Sequence, residues 1–132
     1  MFLLDTCVLS EARRGSRPAI TWLRRADAGT IYLSVVTLGE VMKGAMLKQR
    51  TDPRAASPLF DWLARLQSDY ADRVLPIDTA VALEWGRLVA HRPRPIADAL
   101  IAATALVRGK IIVTRNIADF ADFGVDIVNP WT

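Results

Sequence analysis

The chain alternates short, wholly apolar runs with longer stretches in which apolar residues recur every three or four positions. MFLLD at the start, IYLS at 31–34, VLPID at 74–78, KIIVT at 110–114 and VDIVNPW at the end are too short for helices. Consecutive apolar positions of this kind mark strands covered on both faces, as in a parallel sheet. Helical spacing fills the intervals. VLSEARR runs as a helix to Gly15, and RPAITWLRRADAG places Ile20, Trp22 and Leu23 on a second helix expected to end at Gly29. VVTLGEVMKGAMLKQR follows IYLS directly, with Thr37, Leu38, Val41, Ala45 and Lys48 at helical spacing. TDPRAASP reads as a breaker-rich connector, after which Leu59, Trp62, Leu63 and Leu66 form an apolar stripe. Asp78 stands where an N-cap would open TAVALEWGRLVAHR, and RPRP is a rigid hinge into PIADALIAATALV, residues 95–107. Gly109 supplies the left-handed stop to that last helix.

Strands alternating with helices predict an α/β fold, a three-layer α/β/α sandwich around a parallel sheet of four or five strands, with residues 1–132 as one domain. Sites in such sheets form beyond the carboxyl ends of the strands. Asp5 and Asp119 follow strands, and Glu40 and Asp98 enter on early helical turns, so four acids from four distant segments are expected at one edge.

Each of these acids also has an ordinary structural role open to it. Asp98 is the only charge within 95–107, and a first-turn carboxylate is favoured by the helix dipole. Its surroundings are apolar, however, with five alanines on the same helix, and a carboxylate buried there must neutralise, pair or bind a cation. Thr37 and Glu40 match a T-x-x-E capping box, and Lys43 offers Glu40 a second local partner. Asp122 either shares the role of Asp119 or is a turn residue. His91 stands alone and makes a poor zinc ligand. Cys7, two residues past Asp5 with no base beside it, reads as a small packing residue.

Composition narrows the setting. A single cysteine excludes an intrachain disulfide framework and suits a reducing cytoplasm. The first residues carry an acid at position 5 and lack a signal-peptide core, and no apolar run is long enough to span a bilayer. Half of the residues are hydrophobic and four are Trp, so part of the apolar surface is expected to be an interface. Lys and Arg number 17 against 14 acids. With four acids gathered in one site, the remaining surface is strongly basic and suits a polyanion.

Four unpaired carboxylates repel one another, and a hard divalent cation relieves the repulsion. Oxygen-only ligation favours Mg²⁺ or Mn²⁺ over zinc, and a metal so held can activate water for in-line attack on phosphorus. LLDT with Asp5, the Glu40 helix after IYLS, IADALIAATA with Asp98, VTRNIADF with Asp119 and the closing NPW together resemble the PIN domain, in particular the VapC toxins and their FitB-like branch. The resemblance runs nearly end to end. It implies a Mg²⁺-dependent ribonuclease toxin, held inactive by a small VapB-like antitoxin and usually homodimeric. It carries the acidic quartet onto Asp5, Glu40, Asp98 and Asp119, and places Thr6, Thr114 and Asn116 as polar groups lining the site. An apolar groove including Trp62 or Leu66 is the expected antitoxin seat.

Two rival readings remain. An aspartyl-phosphate enzyme also begins with an apolar strand and an Asp, but its chemistry needs a second Asp at the position held here by Cys7. A module that keeps the fold and binds RNA or a partner without cutting would not need the whole quartet.

Overall fold

A computed structural model describes all 132 residues. Five strands, β1 (Phe2–Leu4), β2 (Ile31–Ser34), β3 (Val74–Leu75), β4 (Ile111–Val113) and β5 (Ile127–Val128), form one parallel sheet in the order β3-β2-β1-β4-β5. Six α-helices complete the fold: α1 (Thr6–Arg13), α2 (Arg17–Arg25), α3 (Val35–Thr51), α4 (Pro53–Asp69), α5 (Thr79–Val89) and α6 (Ile96–Arg108). No helix is long and apolar enough to cross a membrane.

Strand alternation divides the core in two. Leu4, Ile31, Leu33 and Val113 point to one face, where they meet Val8, Ala19, Val41, Leu63 and Leu66 from α1 to α4. Leu3 and Ile112 point to the other, against Ala99, Ile101, Ala102 and Ala105 of α6, with Trp85 and Leu88 of α5 behind them. Both faces of the central strand are therefore covered, as its unbroken apolar run predicts. The alanines of α6 allow its backbone to lie close to the sheet, and Gly109 ends it at φ 65°.

Three local expectations are corrected. The connector at 51–58 shrinks to Asp52: its Oδ1 accepts from Ala55 N at 3.2 Å, Pro53 occupies the first turn, and α4 runs on through Pro58. Proline costs nothing at the first helical position, and the Arg54 carbonyl that loses its donor to Pro58 lies on an exposed residue within reach of water. The second helix stops at Arg25, not Gly29, because Asp27 caps a separate 3-10 turn over Ala28–Thr30, accepting from Gly29 N at 3.1 Å. The capping box of α3 does not form; Ser34 caps the helix, its Oγ accepting from Val36 N at 3.0 Å, which frees Glu40. Asp78, as expected, caps α5 through Val81 N at 3.0 Å.

Candidate functional site

The carboxyl ends of β1 and β4 adjoin in the middle of the sheet, so Asp5 and Thr114 become neighbours. Asp5 is 6% exposed. Its Oδ2 accepts from the Thr114 hydroxyl at 2.8 Å and from the Cys7 thiol at 3.2 Å, and Asn116 N donates to Thr114 Oγ1 at 3.0 Å. Oδ1 has no protein donor and is not sealed from solvent. The start of α1 lies immediately after Asp5, where the helix dipole favours a negative charge.

Glu40 reaches the same edge from α3. The Thr6 hydroxyl donates to Glu40 Oε1 at 2.7 Å and contacts the Thr37 hydroxyl at 3.0 Å, so the two residues that would have made a local cap are engaged across the chain. Glu40 forms no ion pair with Lys43. Asp119 sits on a 3-10 turn (Ile117–Asp119) after β4 and is exposed.

Asp98, in the first turn of α6, makes no cap, hydrogen bond or ion pair. Burial, followed by the negative charges of Asp5, Asp119 and Glu40, pushes its pKa up to about 6. All three acids thus act on Asp98, while Arg94 pulls in the opposite direction. The four are electrostatic neighbours rather than a closed cage, since no three stand close enough to ligate one ion directly.

Thr6 and Thr114 are engaged with these acids as the resemblance implies, whereas Asn116 contributes its main-chain N–H and exposes its side chain. Asp122 is a structural anchor: it forms ion pairs with Arg92 and Arg94, the latter at 2.5 Å, and the Arg94 hydrogen bond holds its carboxyl below the usual range. Cys7 is no nucleophile, because burial and the Asp5 charge push its thiol up to about 11. His91 is exposed and takes part in no cluster of metal-ligating side chains. A cleft of about 240 Å³ opens beside Glu40, lined by Thr6, Val41, Leu59 and Trp62 among others. Leu66 does not line it, being buried in the core at 5% exposure.

Arg94 was not foreseen. It is 14% exposed, lies 4.7 Å over the Phe123 ring and donates through Nη2 to the Asp119 carbonyl at 2.5 Å. Its only local signal is a cation bracketed by prolines just ahead of Asp98.

A five-stranded parallel sheet whose central carboxyl edge gathers acids from the end of β1, from α3, from α6 and from the turn after β4 defines an α/β protein with an acidic edge site. The PIN domain family matches residues 2–125, and the chain belongs to it. It is 33% identical to the plasmid stability protein StbB of Pseudomonas syringae pv. tomato, over 99% of both chains. It is 31% identical to a VapC ribonuclease of Sinorhizobium fredii, over 99% of this chain and 98% of that one. Toxin FitB of Neisseria gonorrhoeae is 30% identical over 99% of each, and the crystal structure of FitAcB from the same organism superposes with a TM-score of 0.89 at 29% identity, covering 99% of each chain.

Proposed function

We infer that this protein is a Mg²⁺- or Mn²⁺-dependent endoribonuclease, the toxin half of a VapBC-like type II toxin–antitoxin pair, with Asp5, Glu40, Asp98 and Asp119 as its catalytic and metal-holding residues. One observation carries the reading. Asp98 is an unpaired, half-buried carboxyl on which three acids from separate segments converge, an arrangement that costs stability unless a cation occupies it. The names of the relatives, a VapC ribonuclease and a FitB toxin, supply the substrate class and the setting.

The donor set suits a hard divalent ion. It is all oxygen, Asp5 Oδ1 is free to ligate, and Arg94 offsets only part of the negative charge around Asp98. Because no three acids stand close enough to ligate one ion directly, one or two carboxylates would hold the ion with waters completing its shell. When bound, such an ion supplies Lewis acidity at the phosphate and makes water a usable nucleophile near neutral pH. The chain's own residues do the rest. Thr114 and Cys7 fix the Asp5 carboxylate, and Thr6 orients Glu40. Burial and the neighbouring acids push the Asp98 carboxyl up to about 6, so below that pH cation capture would have to displace its proton, while at neutral pH it offers an ionised, unpaired carboxylate. A small VapB-like antitoxin would occupy the cleft beside Glu40, where Leu59 and Trp62 supply apolar contact.

Purified protein incubated with a mixed RNA pool tests the reading. Cuts are expected with Mg²⁺ and not with EDTA, leaving 5′-phosphate ends because water expels the 3′ oxygen. Cyclic 2′,3′-phosphate ends, or cutting that persists in EDTA, would overturn it.

A further inference from the structure

On the α2 side of the molecule a second cleft, about 540 Å³, runs between α2 and the segment after β5. Arg17 and Arg25 flank it, Thr21, Asn129 and Thr132 add polar groups, Trp22 contributes an aromatic wall, and no acidic side chain lines it. Arg17, Arg24 and Arg25 are all exposed on this one short helix, and none has an ion-pair partner. Elsewhere six cations have acidic partners, among them Arg87 with Glu84, Arg92 and Arg94 with Asp122, and Arg108 with Asp78; what sets Arg17 and Arg25 of α2 apart is that they gather around one cleft. An uncompensated cluster of guanidinium groups around a cleft suits a ligand with repeated negative charge.

The cleft shares a wall with the acidic edge. Val128, which lines it, accepts through its carbonyl from Thr114 N at 3.0 Å, and Thr114 holds Asp5. Arg115, between Thr114 and Asn116, lies 5.0 Å over the Trp131 ring, and Trp131 N donates to Asn129 Oδ1 at 2.9 Å, which leaves the Asn129 amide N–H₂ available as a donor. Arg115, next in sequence to Thr114, is thus linked through Trp131 to Asn129 in the cleft wall.

We propose that this cleft is a subsite for the phosphodiester backbone of single-stranded RNA flanking the cut, with Arg17 and Arg25 on phosphates and Trp22 offering a face to a base or sugar. The proposal rests on the ribonuclease reading. Guanidinium forks match phosphate oxygens, and aromatic stacking is indifferent to sequence, so the subsite would add affinity for length rather than choose the cleavage sequence.

The experiment separates binding from cutting. A fluorescein-labelled 12-nucleotide single-stranded RNA is titrated in EDTA with the parent, with R17Q/R25Q, and with R54Q/R65Q, which removes the same charge from exposed positions on α4. Each phosphate contact contributes about 0.7 to the slope of log K against log salt for single strands, so R17Q/R25Q is expected to lower the slope by about 1.4 and weaken binding roughly tenfold or more. R54Q/R65Q should change neither, and all three proteins should melt alike. With Mg²⁺, R17Q/R25Q should raise KM on long RNA while leaving kcat and the cleavage of a short oligonucleotide unchanged. Parental affinity and slope in R17Q/R25Q, or equal losses in R54Q/R65Q, would overturn the subsite. Tighter binding of poly-L-glutamate than of the RNA at equal charge and salt, lost in R17Q/R25Q, would also overturn it, assigning the cleft to an acidic polypeptide. A parent that binds RNA through Arg17 and Arg25 yet never cuts it would instead sink the ribonuclease reading and leave the subsite standing.

Discussion

Arg94 reaches back across 25 residues of chain to hold Asp119 by its main chain, its Nη2 lying 2.5 Å from the Asp119 carbonyl oxygen. The same guanidinium pairs with Asp122 and lies over Phe123, so one cation ties down both short turns after β4. The acid placed on those turns has no strand or long helix to fix it. Arg94→Ala should therefore lower kcat/KM for RNA by about tenfold to a hundredfold, the scale expected when a reacting group shifts by an ångström. Because Arg94 also opposes the rise in the Asp98 pKa, its removal should move the acid limb of the pH–rate profile upward. Arg94→Lys keeps the charge without the fork and should restore the pH limb more fully than the rate. Unchanged kinetics in Arg94→Ala at unchanged thermal stability would show that Asp119 needs no such anchor.

Cys7 provides a separate check on what kind of site this is. A thiol pushed up to about 11 is almost wholly protonated at pH 8 and reacts slowly. Iodoacetamide should leave the folded protein unmodified at pH 8 over a period that fully labels the unfolded chain. Cys7→Ala should still cleave, with a loss of no more than about tenfold from removing one donor to Asp5. Rapid labelling of the native protein accompanied by loss of activity would point to thiol chemistry instead.

Strand positions and the sheet's parallel character were legible because apolar runs of this kind must be covered on both faces. The expected meeting of Asp5, Glu40 and Asp98 was legible for a related reason: Asp5 lies just beyond such a run, and the early turns of the helices that carry Glu40 and Asp98 fall at the same edge. Where local pattern failed, a competing bond won. Thr37 and Glu40 carry a sound capping motif, yet Ser34 sits one turn earlier and takes the cap, while Thr6 engages both from another helix. No periodicity announces a pairing such as Thr6 with Glu40 or Arg94 with Asp122, since each depends on which segments the sheet order brings together. Prolines misled at 53 and 58 because their cost depends on position in the helix and on the solvent exposure of the carbonyl left over, and neither is written in composition.

Assembly should follow from apolar surface that the fold does not use. Met42, Met46 and Leu47 lie exposed on α3, and Leu83 on α5 is 71% exposed. Side chains of this size left in water favour self-association. Light scattering at micromolar protein should report a homodimer, and Leu83→Glu with Met46→Glu should shift it toward monomer without lowering thermal stability by more than about 1 kcal/mol, as surface changes rarely do. A monodisperse parental monomer would remove the dimer.

The Asp98 carboxyl makes binding and stability pull in opposite directions. Its folded pKa, about 6, lies above the ordinary value of 3.8, so the native state disfavours its charged form relative to the unfolded chain. The linkage sign follows: above pH 6 the penalty is fully present, and it fades as pH falls from about 6 toward 3.8. Asp98→Asn keeps the shape and loses the charge. In EDTA at pH 7.5 the variant should be as stable as the parent or more so, by about 1 kcal/mol once solvent screening of a half-exposed carboxylate is allowed for. That advantage should shrink to nothing near pH 4. Millimolar Mg²⁺ should then reverse the order, raising the parental melting temperature and hardly moving the variant's, because a ligand stabilises only the protein that binds it. Cleavage should fall below detection in Asp98→Asn. If Asp98 served only as a dipole-favoured first-turn acid, the variant would instead melt lower in EDTA, respond to Mg²⁺ as the parent does and still cut RNA; thermal melts at pH 4.5 and 7.5, each with EDTA and with Mg²⁺, separate the two.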